Sequence, residues 1–223
     1  MRRVQVFDVN ETLLDLAALD PHFQRIFGDA GLRRAWFEQM VQSALVATVT
    51  GAYSQFGAIG TAALEMTAER AGVRLREQDR EAVLGQVRAL PAHPEVPGAL
   101  RRLREAGLRL AALTNSTEQV ARAQLGHAGL VDAFEVVLSA DSVERLKPAP
   151  EPYLMAAERL GVAVGEVRLV AAHAWDVAGA VRAGCAAAFV ARPGRVLDPL
   201  VERPEVVGAD LAEVAERILA VDR

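Results

Sequence analysis

The segment VQVFDVNETLLDL, residues 4–16, is apolar through Phe7 and then stops on an acid, Asp8. A short apolar run ending at a lone carboxylate reads as a buried strand that carries a polar group to the edge of a sheet. Two residues on stands Asn10, an amide that neither gives nor takes a proton at neutral pH. Chemistry at Asp8 would therefore proceed without an acid at that place.

Four more β-compatible runs follow: LRLAALT (108–114), FEVVLS (134–139), VRLVAA (167–172) and AAAFVA (186–191), with amphipathic helical stretches between them. Such alternation predicts a parallel sheet with helices on both faces. HPEVPGALRRLREAG (93–107) reads as a helix opened by prolines and closed at Gly107. STEQVARAQLGHAG (116–129) reads as one opened by a Ser/Thr cap and closed at glycine. Between about residues 15 and 90 the strand signal disappears, and AWFEQMVQSALVATV, TAALEMTAERAGV and EQDREAVLGQVRAL each predict a helix. The expected organisation is an α/β core formed by 1–14 and 91–223, with a helical cap over 15–90 inserted after the first strand.

Length and charge bound the function. A chain of 223 residues has volume for a sizeable core. The single Cys185 cannot form an internal disulfide, and no Cys/His group has zinc spacing, so a reducing, cytoplasmic setting is expected. No signal peptide is legible in MRRVQVFDVN, and no run of about 18 apolar residues suggests a membrane span. A net charge of −4 with arginines scattered among acids predicts neither a nucleic-acid nor a membrane partner; a small molecule fits better. Glycine-rich phosphate loops of the dinucleotide and P-loop types are absent from the sequence.

Among the 25 basic residues all are arginine except Lys147. Codon bias explains arginine at exchangeable surface sites, and it singles out the one lysine as a place where a planar guanidinium does not serve. Ligands of open α/β sheets bind beyond the carboxyl ends of the strands. There the sequence sets Asp8, then Thr114 with Asn115, then Lys147, then His173 with Asp176. Each alone has an ordinary account as a cap or a solvated loop residue. Four polar groups at successive strand ends point to a site.

FDVNETLLD, LTNST, LKPAPEPY and AWDVAGA resemble, in order, the four motifs of the haloacid dehalogenase superfamily, and the likeness spans nearly the whole chain. The resemblance implies a Rossmann-like core with a helical cap, Asp8 as nucleophile, Lys147 steadying its charge, and Thr114 as the hydroxyl residue of the second strand. Most members are magnesium-dependent phosphatases with an acid where this chain has Asn10 and a metal-binding acid where it has Ala172. Alanine offers a hard cation no oxygen, so neither metal nor cofactor is expected. A halide ion leaves without a proton, and the chain lacks just the two groups that halide displacement does not need.

His173-Ala174-Trp175-Asp176 and the lysine-to-tyrosine spacing of KPAPEPY are similar to the L-2-haloacid dehalogenases of the same superfamily, which adds Tyr153 and Trp175 to the expected site. The reading is hydrolysis of short 2-haloalkanoic acids to 2-hydroxy acids through an ester on Asp8. The alternatives are a phosphatase acting on a small phosphate ester and a non-catalytic binding protein on the same fold. Water activation falls either to Asp176 or to a pair in which Glu11 orients His173. The substrate carboxylate is expected against backbone N–H groups near Asn10 and Glu11 and against Thr114, with Asn115 reaching the halogen. Phe56, Phe37 and Trp36 are expected to wall an apolar pocket. The arginine with which related dehalogenases hold halide is replaced by Phe37, with Arg33 and Arg34 a turn earlier. The resemblance also suggests a homodimer.

Overall fold

The structure, a computed structural model, describes residues 3–222; residues 1–2 and 223 of the expected core lie outside the described residues. Strand β1 (Val4–Phe7) is buried at every position. After it come a 3-10 turn at Leu16–Leu19 and four helices, α1 (Asp20–Phe27), α2 (Leu32–Thr50), α3 (Phe56–Arg70) and α4 (Glu77–Val87). The chain then alternates through α5 (Val96–Glu105), β2 (Leu110–Thr114), α6 (Glu118–His127), β3 (Val136–Ser139), α7 (Pro150–Leu160), β4 (Val167–Ala171), α8 (Ala174–Arg182), β5 (Ala186–Val190), β6 (Val206–Gly208) and α9 (Leu211–Val221).

Local chemistry sets many of these limits. Prolines occupy the first turns of α1, α5 and α7, where a missing N–H costs nothing. The Thr117 hydroxyl accepts from Val120 N at the start of α6, and the Asp210 carboxylate accepts from Glu213 N at the start of α9. Gly28 and Gly51 close α1 and α2 in the left-handed conformation. Helix α3 begins ahead of the expected TAALEMTAERAGV, at Phe56, and ends before Gly72. Neither α1 nor β6 was expected: β6 is three residues long, too short for any period, and forms only by pairing with β5.

Within the six-stranded sheet of the described residues every strand pairs parallel to its neighbours, in the order β3-β2-β1-β4-β5-β6. Chain direction across the sheet reverses at β1, which opens a crevice beyond the carboxyl ends of β1, β2 and β4. The expected α/β parallel-sheet core is the one observed. Alternate residues feed two cores. Val4, Val6, Leu113 and Leu169 pack with α7 and α8 on one face. Phe7, Ala112 and Val170 pack with α5, α6 and α9 on the other, and this second core continues without a break into Phe23, Trp36, Phe37 and Leu64 of the helices after β1.

Polar contacts join those helices to the rest of the chain. Tyr53 Oη donates to Asp141 Oδ1, Arg145 Nη1 donates to Thr48 O at 3.2 Å, and Gln124 Nε2 donates to Val87 O at 2.8 Å. At the amino ends of the strands, away from the crevice, the fully buried Arg168 forms a two-pronged pair with Asp222 at 2.7 and 3.0 Å. Among the described residues no helix is long and apolar enough to cross a membrane.

Candidate active site

Asp8 directly follows β1, and the ladder holds its backbone through Asp8 N donating to Val170 O at 3.0 Å. Its carboxylate is buried and occupied on both oxygens. Oδ1 accepts from Lys147 Nζ at 2.9 Å and Oδ2 accepts from Thr12 Oγ1 at 2.6 Å. Burial pushes the Asp8 carboxyl up, but the Lys147 ammonium, the His173 ring beside it and the bonds from Thr12 and Lys147 outweigh it. The group is held below its ordinary value of 3.8. An ionised, desolvated carboxylate is what a nucleophile at this position requires.

Lys147 is 2% exposed and donates in three directions: to Asp8, to Leu113 O at 3.0 Å and to Asp176 Oδ2 at 2.6 Å. Burial draws its ammonium down, but Asp176 and Asp8 together hold it above the usual lysine range. Three convergent acceptors around a tetrahedral ammonium give the exchange argument its physical content, since a planar fork cannot match them. Asp176, fully buried in the first turn of α8, also accepts from Tyr153 Oη at 2.6 Å through Oδ1. Burial and the charge of Asp8 leave its carboxyl raised despite Lys147. Burial and Asp176 likewise push the Tyr153 phenol well above its usual range, so it stays a donor.

His173 lies at the start of α8, and its ring stacks on Phe37 at 5.4 Å and on Trp175 at 5.1 Å. Its Nε2 faces Asn10 O at 3.2 Å, Asp8 Oδ2 at 3.8 Å and Glu11 Oε2 at 3.8 Å. Three oxygens around one nitrogen favour the tautomer that carries its proton there. The sequence sets Glu11 to orient this ring, and its carboxylate lies beside the same nitrogen that faces Asp8. Glu11 has a left-handed backbone, φ 61°, and its carboxylate is clasped by Arg195 Nη2 and by Arg33 Nη1 at 3.5 Å. Glu11 N is also engaged, donating to Leu14 O at 2.8 Å, so it is not a free donor for a substrate carboxylate.

Thr114 is buried at the end of β2, and its Oγ1 accepts from Ser116 N at 3.2 Å. The neighbouring Asn115, expected to reach the halogen, is turned onto the backbone of Lys147. Its Oδ1 accepts from Lys147 N at 2.7 Å and its Nδ2 donates to Lys147 O at 3.3 Å, so both ends of the amide clamp the lysine's backbone.

A cavity of about 550 Å³ opens beside this cluster, lined at its apolar end by Trp36, Phe37, Met40 and Phe56 and at its polar end by Asn10, Ser116 and Arg88. Trp36 is fixed there by Nε1 donating to Gly60 O at 2.9 Å. Trp175 lies outside this cavity, on the other side of the site with Pro148 and Gly179. Arg33 and Arg34 also lie elsewhere, in a hollow of about 500 Å³ with Glu11 and Arg195. Arg33 is tied to Asp20 at 2.5 Å as well as to Glu11.

Magnesium, expected of a phosphatase on this fold, does not fit the residues present. Lys147 occupies the space between the two carboxylates, Ala172 has no side-chain oxygen, and Asn10 Oδ1 already accepts from Gln124 at 3.1 Å. Among the described residues no group of three or more His, Cys, Asp or Glu side chains is placed to hold a metal ion.

Three further side chains, Thr12, Arg195 and Gln124, reach the site. Thr12 is marked in the sequence as the one hydroxyl in the loop after β1, four residues beyond Asp8. Arg195, whose guanidinium carbon sits 5.9 Å above the Phe37 ring, and Gln124 carry no such mark.

Residues 3–184 match the family model of haloacid dehalogenase-like hydrolases. The chain is 33% identical over 180 residues to (S)-2-haloacid dehalogenase 1 of Pseudomonas sp. (strain CBS-3), covering 80% of this chain and 79% of that one. It is 29% identical over 212 residues to (S)-2-haloacid dehalogenase of Pseudomonas sp. (strain YL), covering 94% and 91%. The solved structure of L-2-haloacid dehalogenase from Xanthobacter autotrophicus with chloropropionic acid covalently bound superposes with a TM-score of 0.89 at 25% identity, covering 97% of this chain and 98% of that one.

Proposed function

The chain belongs to the haloacid dehalogenase-like hydrolases, and within that family we propose that it hydrolyses the carbon–halogen bond of short 2-haloalkanoic acids, yielding 2-hydroxy acids without a metal. The observation that carries this reading is Asp8, an ionised carboxylate paired with the Lys147 ammonium, which it shares with Asp176. The similarity to (S)-2-haloacid dehalogenases supports the substrate class.

In the first step an Asp8 oxygen attacks C2 in line with the carbon–halogen bond. A carbon–oxygen bond forms with inversion and halide departs with its electron pair, needing no proton. The apolar end of the cavity receives it among the ring edges of Trp36, Phe37 and Phe56, which carry partial positive charge. Lys147 keeps Asp8 ionised before attack and neutralises Asp176 after the Asp8 charge is lost.

In the second step water adds to the ester carbonyl carbon of Asp8 and gives a proton to a base. The bond from that carbon to the substrate oxygen then breaks, the oxygen takes the proton back from the base to leave as the 2-hydroxy acid, and Asp8 sheds its remaining proton to become a carboxylate again. We assign the proton to His173. Asp176 is buried with both oxygens occupied by Lys147 and Tyr153, whereas His173 Nε2 lies 3.8 Å from Asp8 Oδ2. To act as base, Nε2 must be the unprotonated nitrogen, so the step requires the ring to leave Asn10 O. Glu11 then acts as a charge beside that nitrogen.

The test is halide release from chloroacetate and L-2-chloropropionate in EDTA, combined with intact-mass analysis of His173→Ala. The expected results are turnover by wild type and an ester trapped on the peptide bearing Asp8 in the variant. No halide from a panel of 2-haloacids overturns the function, and full turnover by His173→Ala removes the histidine as base.

A further inference from the structure

Gln124, on α6, is fully buried and takes no part in the two steps above. Its Nε2 donates to Asn10 Oδ1 at 3.1 Å and to Val87 O, at the end of α4, at 2.8 Å. Both N–H groups of the amide are thereby used, while Gln124 Oε1 is buried without a protein partner among the described residues. A buried acceptor left unpaired costs stability, so a role confined to packing would be served better by an apolar side chain of the same size. The two acceptors dictate which way this amide faces, since turning it over would set its oxygen against theirs.

The consequence passes to Asn10. With Oδ1 committed to Gln124, Asn10 Nδ2 is directed away from it, and among the described residues it donates to no protein group. Asn10 also lines the 550 Å³ cavity, two residues beyond Asp8, in a wall that includes the cationic Arg88. The acid on that wall, Asp141, is bonded to Tyr53.

We infer that Gln124 is a positioning residue that turns the Asn10 amide so that its N–H groups, and not its oxygen, face the cavity as donors for the carboxylate of the substrate. The inference rests on the haloacid reading above for the identity of that carboxylate. Donation from an amide to an anion is charge-assisted, whereas the opposite face of the same amide repels it. Gln124 therefore selects for an anionic substrate from a place that touches none.

A double-mutant cycle on halide release from L-2-chloropropionate tests this, with L-lactate binding followed by tryptophan fluorescence as a second readout. Gln124→Met should raise KM about tenfold, weaken lactate binding about as much, and leave kcat within about twofold, as expected for losing control of one charge-assisted bond. Asn10→Ala should also raise KM, and adding Gln124→Met to it should raise KM no further. Gln124→Glu keeps the shape but at most one of the two donated bonds, and should move KM and lactate affinity in the same direction should the Met variant fail to fold.

Unchanged KM and lactate affinity, a fall in kcat alone, or effects that multiply in the double variant overturn the inference. If wild type releases no halide yet binds lactate in a Gln124-dependent way, the haloacid reading fails and the inference stands. Absence of both overturns both.

Discussion

Thr12 Oγ1 donates to Asp8 Oδ2 at 2.6 Å while accepting the amide of Ala172 at 3.0 Å, so one hydroxyl both orients the carboxylate and ties the loop after β1 to the loop after β4. Thr12→Val keeps the shape and removes both bonds. It leaves a buried N–H and a carboxylate oxygen unpaired, a cost of about 1–3 kcal/mol in stability. Ester formation at Asp8 should slow about 10- to 100-fold through lost orientation. Thermal unfolding and single-turnover mass spectrometry measure the two effects separately.

The pH dependence of the first step follows from Asp8. Its carboxyl is held below 3.8 in the folded protein, so its contribution to stability is complete above the unfolded value and is lost only as pH falls through the lowered folded one. Ester formation should therefore show no acid limb from Asp8 above pH 3.8. Lys147→Met removes the principal opposing charge, burial then dominates, and the limb should move up. A pH profile of ester formation in both proteins checks the shift; an unmoved limb would separate Lys147 from the ionisation of Asp8.

Tyr153→Phe deletes the 2.6 Å bond to Asp176 Oδ1 and leaves the ring in place. Asp176 then depends on Lys147 alone, drawing the ammonium away from Asp8. The expected result is a loss of roughly tenfold in kcat, in keeping with one buried bond to a charged group. Because the phenol is held well above its usual range, the wild-type rate should show no decline from tyrosine ionisation up to pH 10.0.

Gly179 meets Pro148 and Tyr153 so closely that an added Cβ would lie 2.5 Å from Pro148 Cβ and 2.6 Å from Tyr153 Oη. Gly179→Ala is expected to cost about 1–3 kcal/mol through overpacking. It should also lower activity by displacing the phenol from Asp176. A Tm that falls while kcat of the folded fraction holds would show that Pro148 alone yields.

Arg168 and Asp222 are buried at the amino ends of the strands, far from the chemistry. Arg168→Met leaves Asp222 the Gln5 amide at 3.2 Å and the Arg3 guanidinium at 3.9 Å but removes its two-pronged partner. The change should cost about 3–5 kcal/mol, with KM unchanged in the protein that remains folded. Denaturant unfolding beside steady-state kinetics distinguishes this from any role in the site.

The sequence by itself determined five of the six strands, three of the four helices after β1, and the order in which Asp8, Thr114, Lys147 and His173 meet the strand ends. Those properties rest on the backbone's own periods, and each is written in one continuous stretch. The solitary Lys147 was legible for a similar reason, because composition alone marks a residue that exchange has spared.

Only the tertiary structure decided which atoms face one another. It turned Asn115 onto the Lys147 backbone, placed Glu11 on the same nitrogen of His173 as Asp8, and brought Arg195 and Arg33 to Glu11. It also joined Gln124 to Asn10 across 114 residues of chain. Such contacts depend on how separate elements pack, at distances where a fraction of an ångström chooses one partner over another. No local pattern of residues carries that choice.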